Sequence, residues 1–210
     1  MKKQTIGYNG YELDSKEEME FMMWIVEAQE AGLVREWQHH PLTWEIIPKV
    51  TYPVTKQLKT KSKLVDKFLL HPLTYEPDFK IEFNESFFST FGEDALSNIA
   101  RMETKNQLGQ VLETIYRSPD IWIDVKGIFN QQDAHRRFSV IQKVIFDKMG
   151  TYVNMVIPEK FFKKTFVPSN CAWMKNRIEP TRRKAYIKCK LLSEIKIKQP
   201  TQPQQTEIIL

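Results

Sequence analysis

The chain has 210 residues, of which 41% are hydrophobic and 12% aromatic, and its 31 lysines and arginines outnumber 26 aspartates and glutamates. This supply of apolar side chains excludes a wholly disordered protein, and no apolar run approaches the roughly 18 residues of a membrane-spanning helix. The cysteines, Cys171 and Cys189, are too few for a disulfide framework or a thiolate zinc site. The N-terminal lysines are not followed by the apolar core of a secretory signal, so we expect a soluble cytoplasmic protein with no membrane partner.

Basic and acidic residues are unevenly distributed along the chain. Residues 158–200 hold twelve lysines and arginines against three glutamates, whereas residues 1–157 hold 19 basic groups against 22 acidic ones. An acidic body with a basic C-terminal section suits a metal-dependent site beside a surface that binds a polyanion. An ordinary solvated surface would give the same pattern, so charge alone does not decide between these interpretations.

The first strong periodicity predicts a helix from about Lys16 to Ala31. Asp14 or Ser15 can cap its N-terminus, and Glu17 and Glu18 would lie in the first turn, where the helix dipole favours negative charge. The apolar side chains that recur at helical spacing are Phe21, Trp24, Ile25 and Ala28.

Extended patterns dominate the next part of the chain. Strand patterns occur at Leu42–Ile47 and at Tyr75–Phe83, where Phe79, Ile81 and Phe83 alternate with polar residues. Between these stretches, a lysine-rich segment over residues 56–67 is typical of a hairpin or a flexible loop. We interpret residues 84–118 as an insertion that is partly helical around Leu108–Ile115.

The second half of the chain adds a strand, a helix and a strand in that order. Ile121, Ile123 and Val125 alternate with Trp122, Asp124 and Lys126, which predicts a strand ending at Gly127. An amphipathic helix is predicted from His135 to Met149, and an apolar strand from Tyr152 to Ile157. This order indicates an α/β fold with a mixed sheet and helices packed on it. Residues 199–210 have no core-forming pattern and suggest a flexible tail.

Acidic residues on two of the predicted strands could form a metal site. Asp78 lies at the start of one strand, while Asp124 and Lys126 are two residues apart on another and therefore point to the same side. If the two strands are neighbours, the two carboxylates converge, and Mg²⁺ prefers such hard oxygen ligands. A lysine beside them can position an attacking water and offset charge on a phosphate.

In these residues the chain resembles the PD-(D/E)XK phosphodiesterase superfamily. Pro77-Asp78 matches the first half of its motif, and Asp124-Val125-Lys126 matches the second half. The helix start at residues 14–18, Gln38 and the segment Tyr75-x-x-Asp78-Phe79 are similar to a phage-borne branch related to Holliday-junction resolvases. The resemblance covers roughly residues 10–157, with the 84–118 insertion inside it.

The resemblance implies a restriction-endonuclease-like α/β fold, in which a mixed β-sheet is flanked by helices. The nuclease core would span residues 1–157, followed by a basic C-terminal extension over residues 158–198 and the tail at residues 199–210. It also implies an Mg²⁺-dependent endodeoxyribonuclease that hydrolyses phosphodiester bonds by water attack and leaves a 5′-phosphate. Branched or recombination-intermediate DNA is the expected substrate.

The resemblance also implies a set of site residues. Mg²⁺, which Mn²⁺ could replace, would be held by the carboxylates and by the Val125 carbonyl, and Lys126 would orient the water. The predicted catalytic residues are Glu18, Asp78, Asp124 and Lys126, with Glu17 as the alternative helix acid. Glu18 is favoured because it shares a helix face with Met22 and Ile25. The supporting polar residues are Gln38, Gln142 and Lys143.

Two basic regions are predicted to contact DNA. Five lysines within twelve positions of the 56–67 segment repel one another unless an anion joins them. The arginines of the basic extension lie near aromatic residues, a combination found on DNA-binding surfaces. The predicted contact residues are Lys56, Lys59, Lys61, Lys63, Arg177, Arg182 and Arg183.

Simpler interpretations stand beside these. Asp124 and Lys126 could be a solvent-facing pair on an edge strand, worth under about 1 kcal/mol to stability, and a helix-start glutamate can serve the helix dipole alone. His39 and His40 are interpreted as a surface pair, because no further ligands follow at metal-site spacing.

At the level of function, the chain could be a non-catalytic DNA-binding scaffold. It could also be a nuclease subunit that is active only with partner proteins of phage recombination or transposition, in the cytoplasm of the host cell. A homodimer would suit a junction substrate, which has two-fold symmetry.

Overall fold

The computed structural model describes residues 5–92, 95–96, 102–105, 111–114, 120–127, 133–171 and 189–199. Within these ranges the chain forms a mixed α/β structure. The helices are α1 (Lys16–Glu30), α2 (Glu85–Phe91), α3 (Asp133–Met149) and α4 (Pro158–Lys164). The strands are β1 (Ile6–Tyr8), β2 (Tyr11–Leu13), β3 (Val34–His39), β4 (Trp44–Ile47), β5 (Val50–Gln57), β6 (Ser62–Leu70), β7 (Leu73–Tyr75), β8 (Phe79–Phe83), β9 (Met102–Lys105), β10 (Val111–Thr114), β11 (Asp120–Val125) and β12 (Val153–Val156).

A four-stranded mixed sheet with the order β12-β11-β8-β3 forms the centre of the molecule. β8 runs antiparallel to both β3 and β11, whereas β11 and β12 are parallel. α3 is the connection between the parallel pair, as parallel neighbours require a crossover. The α/β fold class expected from the element order is therefore confirmed. β8 and β11 are neighbouring strands, and Asp78 lies immediately before β8 rather than within it.

α1 covers one face of this sheet and supplies much of the main core. Phe21, Trp24 and Ile25 are fully buried, together with Phe79, Ile81 and Ile123 from the sheet. Ser15 caps the helix through its hydroxyl, which accepts a hydrogen bond from the Glu18 amide at 3.1 Å. The observed helix matches the predicted one to within a residue, because cap, acidic first turn and apolar periodicity all agree.

The second face of the sheet packs against α3 and the strands β4 and β7. Phe138 and Ile145 of α3 are buried with Ile46 and Val153, and Trp44, Trp122 and Tyr75 pack around them. Alternate residues of β11 therefore pack into two different hydrophobic clusters. Ile121 and Ile123 belong to the main core with α1, and Trp122 belongs to the smaller cluster with α3. The predicted alternation along β11 is confirmed, and the strand is central rather than at an edge.

Part of the segment expected to be a basic extension packs into the main core. Phe161, Phe162 and Phe166 are buried, and the ring centroids of Trp24 lie 4.7 Å from Phe161 and 5.1 Å from Phe166. Val167 and Leu191 form an isolated bridge, which brings residues 189–199 beside α4. The three phenylalanines thus face inward, whereas the neighbouring Lys163 and Lys164 are exposed.

The lysine-rich segment belongs to an antiparallel hairpin of β5 and β6, which was one of the two alternatives predicted for it. Every residue of β6 is exposed. The predicted helix around Leu108–Ile115 is wrong, because Val111–Thr114 is a strand paired with β9. The extended pattern over Tyr75–Phe83 is interrupted at Glu76–Asp78, since Pro77 cannot donate a ladder hydrogen bond. No helix in the described ranges is both long and apolar enough to cross a membrane.

Candidate active site

The carboxylate of Asp78 meets β11 at the point where β8 begins and β11 ends. Phe79 pairs with Ile123 across the two strands, so Asp78 falls opposite the end of β11. Its Oδ2 accepts a hydrogen bond from the backbone N–H of Val125 at 2.6 Å. The predicted pair of strand acids is thus brought together by strand register, and Asp78 is fixed by a main-chain contact next to Asp124.

Lys126 contacts Asp124 directly at this end of the sheet. The Lys126 ammonium lies 2.6 Å from Asp124 Oδ2, and the side chains are 29% and 4% exposed respectively. The amide of Lys126 donates to the carbonyl of Val156 at 2.8 Å, which holds the residue beyond the strand end in line with β12. The solvent-facing edge pair considered from sequence is therefore excluded, since Asp124 is buried and β11 is central.

The electrostatics of the two strand acids favour an added cation. Burial, and then the negative charge of Asp124, raise the pKa of Asp78 from 3.8 to about 8 despite the opposing effect of Lys126. Burial also raises the pKa of Asp124, although Lys126 opposes it. One lysine therefore does not neutralise the pair, and their oxygens are the hard donors that Mg²⁺ prefers. The residues present fit a divalent cation.

Tyr75, at the end of β7, lies beside the two acids. Burial and the charges of Asp124 and Asp78 raise the pKa of its hydroxyl, which keeps the phenol protonated. Its oxygen is buried without a well-aligned hydrogen bond, yet its proximity lowers the pKa of Asp124. The sequence pattern included Tyr75 in the Tyr-x-x-Asp segment without assigning it a role, so this neighbour of the site was missed.

Glu18 reaches the same region from the N-terminus of α1. Its side chain is 2% exposed, and one oxygen, Oε2, accepts a hydrogen bond from the Asp14 amide at 2.7 Å. The other oxygen, Oε1, lies 2.6 Å from His39 Nε2 and 3.2 Å from His40 Nε2. Because a carboxylate only accepts, both imidazoles donate to it. Glu18 therefore serves the helix cap with one oxygen and faces a histidine pair with the other.

The environment of Glu18 keeps it ionised. Burial alone would raise its pKa, but the hydrogen bonds from His39 and the Asp14 amide, with the adjacent imidazoles, lower the pKa below 4.5. Its negative charge acts on both Asp78 and Asp124 and raises the pKa of each. The ionisation of the three predicted acids is therefore coupled.

Glu17, the alternative helix acid, lies on a different side of the helix start. Its carboxylate is next to Gly127, where an added Cβ would come within 2.9 Å of Glu17 Oε1. Glu17 is partly exposed, whereas Glu18 is buried. The position of Glu18 among buried polar groups suits a site residue better than that of Glu17.

The histidine pair was interpreted as a surface feature, and for His39 this is wrong. The His39 side chain is 8% exposed and that of His40 is 25% exposed. The two rings are 4.0 Å apart and nearly perpendicular, and the amide of His40 donates to the carbonyl of Asp78 at 3.0 Å. No sequence signal indicates this, because the hydrogen-bond partner of both imidazoles, Glu18, lies far earlier in the chain.

The remaining predicted residues lie farther from these acids or have other partners. Gln38 is exposed on β3, Lys143 is exposed on α3, and the Gln142 side-chain amide donates to the carbonyl of Val153. The predicted DNA-contact lysines of the hairpin are exposed. Arg177, Arg182 and Arg183 lie outside the described residues.

No family model matches the chain, and no curated protein or solved structure is significantly similar to it.

Proposed function

We propose that this protein is a metal-dependent DNA endonuclease of the PD-(D/E)XK superfamily with a restriction-endonuclease-like fold. The observation that carries the proposal is the convergence of Asp78, Asp124 and Lys126 at one end of a central mixed sheet, with Glu18 beside them. A structural ion pair would explain Asp124 and Lys126. It would not explain a second, partly buried acid whose pKa is raised to about 8.

Asp78 and Asp124 are the residues that would hold Mg²⁺, with Glu18 and the Val125 carbonyl as further oxygen donors, and Mn²⁺ would substitute. When bound, the ion lowers the pKa of a water molecule and stabilises charge on the phosphate. The Val125 amide holds Asp78 in place through Oδ2. The hydrogen bond from the Asp14 amide to Glu18 Oε2 restricts that side chain in the same way.

Lys126 has the position required to orient the nucleophile. Its ammonium, 2.6 Å from Asp124 Oδ2 and 29% exposed, can also donate to a water at the edge of the site. In that position it holds the water for in-line attack on the phosphorus and offsets negative charge on the phosphate. Hydrolysis then breaks the bond to the 3′-oxygen and leaves a 5′-phosphate and a 3′-hydroxyl.

The hairpin supplies a DNA-contacting surface in this proposal. Lys56 and Lys63 are direct cross-strand partners, and Lys67 shares their face beside its own partner Tyr52. Like charges directly opposite one another destabilise a hairpin unless an anion lies between them. A phosphate backbone supplies such anions. The proposed substrate is branched or recombination-intermediate DNA, cut in the cytoplasm of a host cell alongside phage recombination or transposition proteins, with a homodimer for two-fold junctions.

The test is cleavage of a DNA panel by the purified protein with Mg²⁺, Mn²⁺ or EDTA. The panel holds a four-way junction, a flap, linear duplex and single strand. We expect metal-dependent cutting that Lys126→Ala reduces by at least about 100-fold, since the variant loses a charge aimed at the reacting groups. Lys148→Ala, which removes an exposed lysine on α3, is the matched control. Cleavage by Lys126→Ala at the wild-type rate would refute the assignment.

A non-catalytic DNA-binding scaffold is the second candidate, and one observation favours it. Asp124 is paired with Lys126 and Asp78 with the Val125 amide, so each acid already has a partner within the protein. A scaffold would bind the DNA panel and cut none of it under any metal condition, alone or with its partner proteins. It would also bind Mg²⁺ no better than the Asp78→Ala variant does.

A further inference from the structure

A cluster of three metal-ligating side chains lies next to the strand acids. In the described part of the chain, Glu18, His39 and His40 are the one group of three such residues whose donor atoms all lie within 4.8 Å of one another. Asp78 and Asp124 are not members of it. The cluster therefore forms a second potential site, which the catalytic proposal uses only through Glu18.

The donor set of this cluster differs from that of the strand acids. Two imidazole nitrogens and one carboxylate oxygen match the borderline divalent ions of the first transition series, whereas Mg²⁺ prefers oxygen donors alone. The contacts from Glu18 Oε1 to His39 Nε2 and His40 Nε2, 2.6 and 3.2 Å, show that the three ligand atoms already face one another. Binding requires little rearrangement of these side chains.

His40 carries two further signs of a ligand position. Its φ of 45° lies in the left-handed region, which few non-glycine residues adopt and where functional residues are concentrated. Its Nδ1 is buried without a hydrogen bond and lies 3.7 Å from Glu76 Oε1. Histidine ligands commonly donate their other ring N–H to a carboxylate, and the Glu76 carboxylate lies just beyond hydrogen-bond distance of Nδ1.

When Nε2 of a histidine provides its lone pair to an ion, the remaining ring proton lies on Nδ1. For His40, that proton would lie on the side of Glu76.

We propose that Glu18, His39 and His40 bind a divalent transition-metal ion of the Mn²⁺-to-Zn²⁺ series, at a site that shares Glu18 with the proposed Mg²⁺ site but does not include Asp78 or Asp124. The inference goes beyond the proposed nuclease and holds whether or not the protein cuts DNA. Its consequence is that metal-free protein binds such an ion more tightly than it binds Mg²⁺, through nitrogen ligands.

The test is titration of the metal-free, full-length protein with Co²⁺, followed by visible ligand-field absorption. His40→Asn is the principal variant, because asparagine tolerates the left-handed backbone that His40 adopts. His39→Gln is a second variant that does not depend on that conformation. His71→Ala, which removes an exposed histidine outside the cluster, is the matched control. Far-ultraviolet circular dichroism checks that each variant is folded.

We expect one Co²⁺ per chain, bound at least tenfold more weakly by His40→Asn and by His39→Gln and unchanged in His71→Ala. Asp124→Asn should keep the Co²⁺ spectrum. The proposal is overturned if wild-type protein gives no ligand-field band, if both histidine variants bind Co²⁺ as wild type does, or if Asp124→Asn alone loses the band. Retained Co²⁺ binding without DNA cleavage would refute the nuclease and leave this site intact.

Discussion

Asp78 shows how one partly buried carboxyl can contribute to the pH dependence of stability in the metal-free protein. Its pKa rises from 3.8 to about 8 on folding, first because of burial and then because of Asp124. Between these values the folded chain binds more protons than the unfolded chain, so the free energy of unfolding falls as pH rises. Asp124, whose pKa is also raised, acts in the same direction. Glu18 acts in the opposite direction. Its pKa is lower in the folded protein than in the unfolded chain, so its contribution to stability is lost as the pH falls through the lowered pKa.

We therefore expect the wild-type protein in EDTA to lose stability from pH 5 to pH 8, by about 1 kcal/mol per pH unit at the steepest point. Asp78→Asn, which keeps an oxygen for the Val125 amide, should flatten this dependence. Urea denaturation at a series of pH values measures both slopes. Equal slopes in the wild type and in Asp78→Asn would show that the carboxyl is ionised in the folded protein throughout this range.

At the scale of the element, the hairpin carries closely spaced lysines whose side chains face solvent. Lys56 and Lys63 face each other across the strands, and Lys59 and Lys61 lie in the turn that the Leu58 amide closes onto the Lys61 carbonyl at 2.8 Å. All four are exposed. Each lysine that contacts a phosphate releases a counterion, so it steepens the salt dependence of DNA binding.

Replacing Lys59, Lys61 and Lys63 together with glutamine should weaken DNA binding and lower the slope of log K against log salt by about 3, or about 1 per phosphate contact. Fluorescence anisotropy at several salt concentrations measures the slope. The control replaces Lys16, Lys49 and Lys148, three exposed lysines outside the hairpin, and removes the same net charge. A slope that falls equally in both triple variants would attribute the effect to net charge rather than to the hairpin.

At the scale of the whole molecule, residues 158–171 are part of the structural core. Phe166 is fully buried and stacks on Trp24 of α1 at a centroid distance of 5.1 Å. Phe166→Ala should therefore lower the free energy of unfolding by about 3–5 kcal/mol. Urea denaturation measures this loss. Met149→Ala, at an exposed helix end, should change stability by less than about 0.5 kcal/mol, and similar losses in both variants would contradict the packing.

The parts of the fold that the sequence predicted correctly are those where local signals and burial agree. α1 has a cap, acids and apolar periodicity in register, and β11 alternates between two cores. The predicted helix around Leu108–Ile115 failed because a short apolar run fits a helix or a strand equally well. The burial of Phe161 and Phe166 was not predicted, because the lysines around them in the sequence indicated an exposed basic segment.

The residues of the candidate site were likewise predicted only in part. Asp78, Asp124 and Lys126 were predictable because strand alternation and a recognisable spacing place them on neighbouring strands. The burial of His39 and the position of Tyr75 beside Asp124 were not, because each depends on a side chain far away in the sequence. Contacts between distant elements leave no periodic signal, and histidine is common both on surfaces and in sites.

In the proposed nuclease, the hairpin would determine how much DNA the protein can cover. β7 pairs with β4 and ends at Tyr75 beside the acids, and β6 is joined to β7 through His71 and Pro72. Its nine residues span about 30 Å when extended. That length equals about nine base pairs of duplex. A footprint reaching up to about nine base pairs to one side of the cut, ending where the turn lysines lie, is the expected signature of this arm.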